Sequence, residues 1–196
     1  MLDPKFILVG AAINLMGSLK YVIDTLRGKA SPNRVSWILW AIAPLIAFAA
    51  EIGQGVGLQA LMTFMVGFGP LMVVIASFVS KKAVWKLTKF DFVCGGLSVL
   101  GLILWLITRQ GNIAILFSII ADGLASAPTV LKSYRKPKSE SPYVFMGGAI
   151  SAGITLLTID NWTFAQYAFP LYIFLICSLM ASLIYFEVGP RLRREI

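Results

Sequence analysis

Residues 112–135 read NIAILFSIIADGLASAPTVLKSYR. Between Asn112 and Leu131 the only ionisable side chain is Asp122, and a run of about 20 apolar residues is what one crossing of the hydrocarbon core requires. A carboxylate at mid-bilayer costs roughly 3 kcal/mol, so it is expected to face a cavity or a partner rather than lipid. Asp122, Ser126, Thr129 and Ser133 follow one another at intervals of four, three and four. At 100° per residue they stay within about 60° of each other, a single polar stripe that also takes in Ser118.

The same stripe occurs 108 residues earlier. In FILVGAAINLMGSLKYVIDTLR, residues 6–27, Asn14, Ser18, Tyr21 and Thr25 repeat the intervals, and Arg27 answers Arg135. A basic loop and then Ser-Pro follow each copy, as Ser31-Pro32 and Ser141-Pro142. Glu51 and Asp160 each close the next apolar run, and Phe68-Gly69-Pro70-Leu71 and Ala168-Phe169-Pro170-Leu171 take similar places in the run after that. Literal identity is low; the order of features carries the repeat.

Working outward, the 196 residues are 58% hydrophobic and 13% charged, against about half and a quarter in soluble domains. Apolar runs at 5–26, 35–51, 59–80, 91–108, 112–134, 143–159 and 164–186 predict seven spans with short loops. No small-residue cleavage site follows the first run, so it is expected to remain as a span. Of the 17 Lys and Arg, all but Lys5, Lys20 and Arg109 fall on one side of a seven-span alternation. They are Arg27, Lys29 and Arg34; Lys81, Lys82, Lys86 and Lys89; Lys132, Arg135, Lys136 and Lys138; and Arg191, Arg193 and Arg194. Basic loops favour the cytoplasm, which predicts a multi-pass protein of the plasma or inner membrane, N-terminus outside and C-terminus cytoplasmic. The net charge of +8 is then explained by topology and does not imply nucleic acid. Trp105 and Trp162 at one set of span ends, and Tyr134, Tyr143 and Tyr185 at the other, suit interfacial belts.

Three spans form an odd unit, so two copies joined directly would face opposite ways. One additional crossing restores the orientation. The expectation is an all-α integral membrane fold of seven helices: a first triple-helix bundle (1–80), a linker helix (81–111) and a second bundle with a basic tail (112–196). A pseudo-two-fold axis along the membrane normal would relate the bundles.

The stretch Ala127-Pro128-Thr129-Val130-Leu131-Lys132-Ser133-Tyr134-Arg135, followed by Lys138-Ser139-Glu140-Ser141, resembles the Pro-Gln motif and basic serine-containing loop of the PQ-loop superfamily. Within it, the whole chain is most similar to the SWEET-type transporters. Thr129 stands where that motif has Gln, Lys20-Tyr21 replaces its first copy, and the runs at 59–80 and 164–186 lack the asparagines of sugar-carrying members. The resemblance implies alternating access through a central cavity between two bundles.

Asp122 is the sharpest candidate, either binding solute or exchanging a proton; the structural alternative is a hydrogen bond or an ion pair with Lys20. Asn14, its repeat mate, lines the same cavity or serves as interhelical glue. Ser18, Ser126 and Thr129 complete the polar set, with Trp40 and Gln166 as further substrate contacts. Trp37 is expected to anchor at the interface. Lys20 and Asp24, one turn apart, are expected to pair, although Lys20 at the motif position could also act at an inner gate. Pro44 and Pro128 are candidate hinges, with Pro70 and Pro170 weaker ones. Glu51 and Asp160 read as solvated caps, Asp91 as a helix cap, and the glycines Gly67, Gly69, Gly95, Gly96 and Gly101 as packing positions.

No nucleophile stands beside a base, no metal-ligand spacing or phosphate loop occurs, and there is no histidine. The chain is therefore read as no enzyme, with no cofactor and no metal. The expected function is transport of a small polar solute (a sugar, an amino acid or a vitamin-like molecule), with the bilayer as its other partner and homo-oligomerisation left open. The alternative is a sorting or ligand-binding receptor that uses the cavity without net transport.

Overall fold

The computed structural model describes residues 2–80, 86–108 and 111–192. Lys81, Lys82, Arg109, Gln110, Arg193 and Arg194, and the surroundings of Gly95, Gly101 and Trp105, lie outside the described residues. Helices run over Phe6–Leu26 (α1), Arg34–Gly53 (α2), Ala60–Val79 (α3), Lys89–Thr108 (α4), Gly111–Arg135 (α5), Tyr143–Leu157 (α6), Phe164–Tyr185 (α7) and Val188–Leu192 (α8). A single 3-10 turn, Pro137–Ser139, precedes α6. Among the described residues there is no strand. Each of the seven apolar runs appears as a helix whose ends lie within two residues of the sequence expectation. Neither α8 nor the 3-10 turn was anticipated, because neither is long enough to show a helical period.

Five of the helices, α1, α2, α3, α5 and α7, are long and apolar enough to cross a membrane; α6 is a shorter apolar helix of 15 residues. The molecule presents apolar side chains outward and polar ones inward. Met16, Ile75, Phe78 and Leu175 stand exposed, whereas Asn14, Ser18, Asp122, Ser126 and Thr129 are buried. A surface of that kind suits a lipid surround.

Helix ends are set by local chemistry. Asn33 caps α2 by accepting from the Val35 amide at 3.1 Å, and its side-chain amide donates to Asp91. Thr88 and Asp91 form a reciprocal capping box at the start of α4, with the Thr88 amide and hydroxyl at 2.5 and 2.7 Å from Asp91 Oδ2. Gly28 turns the chain off α1 with φ 73°, a conformation that favours glycine.

Packing follows small residues. α1 lies against α3 and α6, α2 against α3 and α5, α5 against α2, α4 and α7, and α6 against α1 and α7. The α1–α6 crossing is close because both helices carry glycine there. A Cβ on Gly17 would stand 2.5 Å from the Tyr143 carbonyl oxygen, and one on Gly147 would stand 3.0 Å from that of Ile13. Gly69 lies against Ser18 and Gly67 against Leu45, so the α3 glycines do serve packing. Two larger apolar clusters and a small one around Ala43 and Ala121 make up the core among the described residues. Of the larger two, one holds Tyr21, Trp37, Trp40, Phe145 and Met180; the other holds Ala47, Met62, Ile115, Phe169 and Ile173.

Candidate functional site

Between the α1–α2, α3–α4 and α5–α6 junctions the chain gathers Arg27, Lys29, Arg34, Lys86, Lys89, Arg135 and Lys136 at one end of the helices, here termed the basic end. Contacts across that end join the junctions directly. Arg34 donates to the Ser77 carbonyl at 2.6 Å, and the Ser31 amide to that of Ser139 at 3.2 Å.

Mid-molecule, α1, α2, α3, α5, α6 and α7 enclose a small cavity. Its volume is about 60 Å³, room for a few waters. Asn14 and Ser18 enter from α1, Trp37 and Trp40 from α2, Pro70 from α3, Asp122 and Ser126 from α5, Phe145 and Gly148 from α6, and Ile173 and Cys177 from α7. The Asp122 carboxylate accepts from the Tyr172 hydroxyl at 2.6 Å through Oδ2, while Oδ1 is buried and has no hydrogen-bond partner among the described residues. Ser18 Oγ is likewise buried and without a partner among them. The Trp40 indole donates to the Asp122 backbone carbonyl at 3.4 Å, fixing the ring against α5.

An aromatic cluster lies toward the basic end. The ring of Trp37 is 4.5 Å from that of Tyr21 and 5.2 Å from that of Trp40, and Phe145 stands 6.1 Å from Trp40. Beyond it is a buried polar network. Lys132 Nζ donates to Glu140 Oε1 at 2.6 Å and to the Ser31 carbonyl, and the Tyr21 hydroxyl donates to the other Glu140 oxygen. Ser141 Oγ donates to Asp24 Oδ2 at 2.9 Å, and Lys20 pairs with Asp24 Oδ1 at 2.5 Å. Asp24 and Lys132 stand 108 residues apart, the shift that aligns the two polar stripes. Each holds a Ser-Pro turn: Asp24 that of Ser141, and Lys132 that of Ser31.

No family model, curated protein or solved structure matches this chain.

Of the substrate contacts expected from sequence, Asn14, Ser18, Trp40, Asp122 and Ser126 line the cavity. Two do not. Thr129 is buried one turn beyond Ser126, and its hydroxyl has no partner among the described residues. Gln166 is half-buried in the first turn of α7, well before the cavity residues Ile173 and Cys177. Pro44 and Pro128 sit buried inside α2 and α5 without reaching the cavity, whereas Pro70, the weaker candidate, does reach it. Lys20 pairs with Asp24 and stands over the Tyr143 ring at 5.2 Å, so it is no partner of Asp122. Trp37 is 1% exposed, not an interfacial anchor; its ring is taken up by Tyr21 and Trp40. Glu51 is not solvated either. It is buried and accepts from Thr63 at 3.0 Å, because α3 folds back against the end of α2. Asp160 is exposed, as a solvated cap should be.

Tyr172 and Glu140 escaped the sequence reading. Tyr172 has Met72 at the corresponding place after Pro70, so the repeat gives no sign of it. Lys132 was counted among loop charges, but it is buried because the 3-10 turn brings Glu140 back to it.

Proposed function

We propose that the chain is a seven-span transporter of a small polar solute, built of two three-helix repeats of the PQ-loop, SWEET-type plan and working by alternating access. The observation that carries this reading is the cavity itself. Asn14 and Asp122, which the 108-residue shift pairs, line one mid-molecule space, where Ser18 Oγ and Asp122 Oδ1 are without a partner among the described residues.

The packing pattern supports the two repeats. Exchanging α1, α2 and α3 for α5, α6 and α7 turns α1–α3 into α5–α7, α2–α3 into α6–α7, and α1–α6 into α5–α2, and every one of these pairs is in contact. The reciprocal grip of Asp24 on Ser141 and Lys132 on Ser31 has the same two-fold character. α4 then serves as the linker, and α4 and α6 complete the seven crossings. The aromatic cluster and the network around Glu140 act as the closed gate of the basic end. Rocking of one repeat against the other would open the cavity to each side in turn.

The plan predicts that reporters fused to the C-terminus and beside Lys86 are cytoplasmic, and that tags at Asn161 are external. A C-terminus on the same side as Asn161 would remove the seven-span arrangement. Transport is tested by screening sugars, amino acids, amines and vitamins for thermal stabilisation of the purified protein. A stabilising solute should equilibrate across liposomes containing the protein. One that binds and never crosses would identify a receptor instead.

A further inference from the structure

Resting on the reading of this cavity as the solute site, we propose that its solute carries a positive charge: a small amine or ammonium compound whose cationic head sits at Asp122.

The lining holds one carboxylate and, among the described residues, no lysine or arginine. The two lysines on the cavity-lining helices lie farther toward the basic end and are committed elsewhere, Lys20 to Asp24 and Lys132 to Glu140. Asp122 is 3% exposed. One of its oxygens is held by Tyr172 and the other has no donor among the described residues. A buried carboxylate oxygen without a donor is costly, and a ligand N–H would satisfy it with a charge-assisted bond.

Two further acceptors in the lining suit the same head group. Ser18 Oγ and Asn14 Oδ1 both lie near where a Gly69 Cβ would stand, and Ser18 Oγ also has no partner among the described residues. An ammonium group offers three donors and no acceptor, which matches acceptors on α1 and α5. Trp37 and Trp40 add the aromatic surface that favours cations. An anion would meet Asp122 with no compensating charge. A neutral polyol would leave the carboxylate without a counter-charge and face a largely apolar wall.

The test uses three probes of nearly equal size: ethanolamine (cation), ethylene glycol (neutral) and glycolate (anion). Each is titrated into the purified full-length protein in uncharged detergent at fixed ionic strength, by calorimetry and thermal shift. Ethanolamine should bind at least tenfold more tightly than either of the others. Asp122→Asn should cut that affinity at least tenfold, whereas Asp160→Asn, altering an exposed carboxylate, should leave it unchanged. Binding of glycol or glycolate as tight as that of ethanolamine, no binding of ethanolamine, or ethanolamine binding that survives Asp122→Asn would each overturn the assignment. The broader reading is judged separately. A neutral solute that binds and crosses liposomes would leave transport standing while removing the cation. A bound amine that never crosses would do the reverse.

Discussion

Asp122→Asn is expected to reduce solute flux at least about tenfold while leaving the protein as stable as before, or more so. The two effects have different physical origins. Asparagine keeps the side chain's size, and its carbonyl oxygen can still accept from Tyr172, so the 2.6 Å bond survives. What disappears is a buried charge with an unpartnered oxygen. Removing such a charge from the middle of a membrane protein relieves a cost of up to roughly 3 kcal/mol. On the proposed function, flux falls because the charge that would meet the solute is gone. A structural role for Asp122 predicts the opposite pairing, lost stability with normal flux. Flux in proteoliposomes and the thermal midpoint in detergent, measured on one preparation, separate the two.

Glu140→Ala is expected to destabilise the fold by about 3–5 kcal/mol, the usual result of leaving one member of a buried pair without the other. The Lys132 and Glu140 side chains are 1% and 0% exposed, and Glu140 also takes the Tyr21 hydroxyl, so three buried groups lose their arrangement together. Lys20→Ala makes the comparison. Its pair with Asp24 is partly exposed on the lysine side, at 44%, so its loss should cost no more than about 1 kcal/mol. Denaturant or thermal unfolding in detergent reads both. Lys132→Met combined with Glu140→Leu should recover most of the stability, because no charge is left uncompensated. It should also hold the basic end less tightly, since the grip on Ser31 is lost.

The helices were legible because a membrane span is written in composition and length, and each apolar run of the sequence appears as a helix. The polar stripe was legible for a related reason. Polar residues are so scarce in this chain that their period stands out, and it led to Asn14, Ser18, Asp122 and Ser126. Distance along the stripe was the weak point. Thr129 shares the face but lies past the cavity, because periodicity reports direction around a helix and not depth along it. Gln166 failed on depth as well. Residues that meet only after folding left no local trace. Tyr172 reaches Asp122 from 50 positions away, with no repeat partner to announce it, and Tyr21, although on the first stripe, meets Glu140 from 119 positions away. Charge counting went astray at Lys132 and Glu51, because it assumes that charges near span ends meet water. A short turn folds Glu140 onto the first, and α3 covers the second.

Alternating access is tested most directly at Cys177, whose sulfur lies beside Gly148 in the cavity wall. In a Cys94→Ser background it is the sole thiol. A membrane-impermeant, cationic methanethiosulfonate is applied to one face or the other of oriented vesicles, and modification of Cys177 is followed by mass. Transport through this cavity predicts modification from each face, with the rate from the basic end rising when Glu140 is replaced. Modification from one face only, or from neither, would contradict a cavity that opens alternately to the two sides.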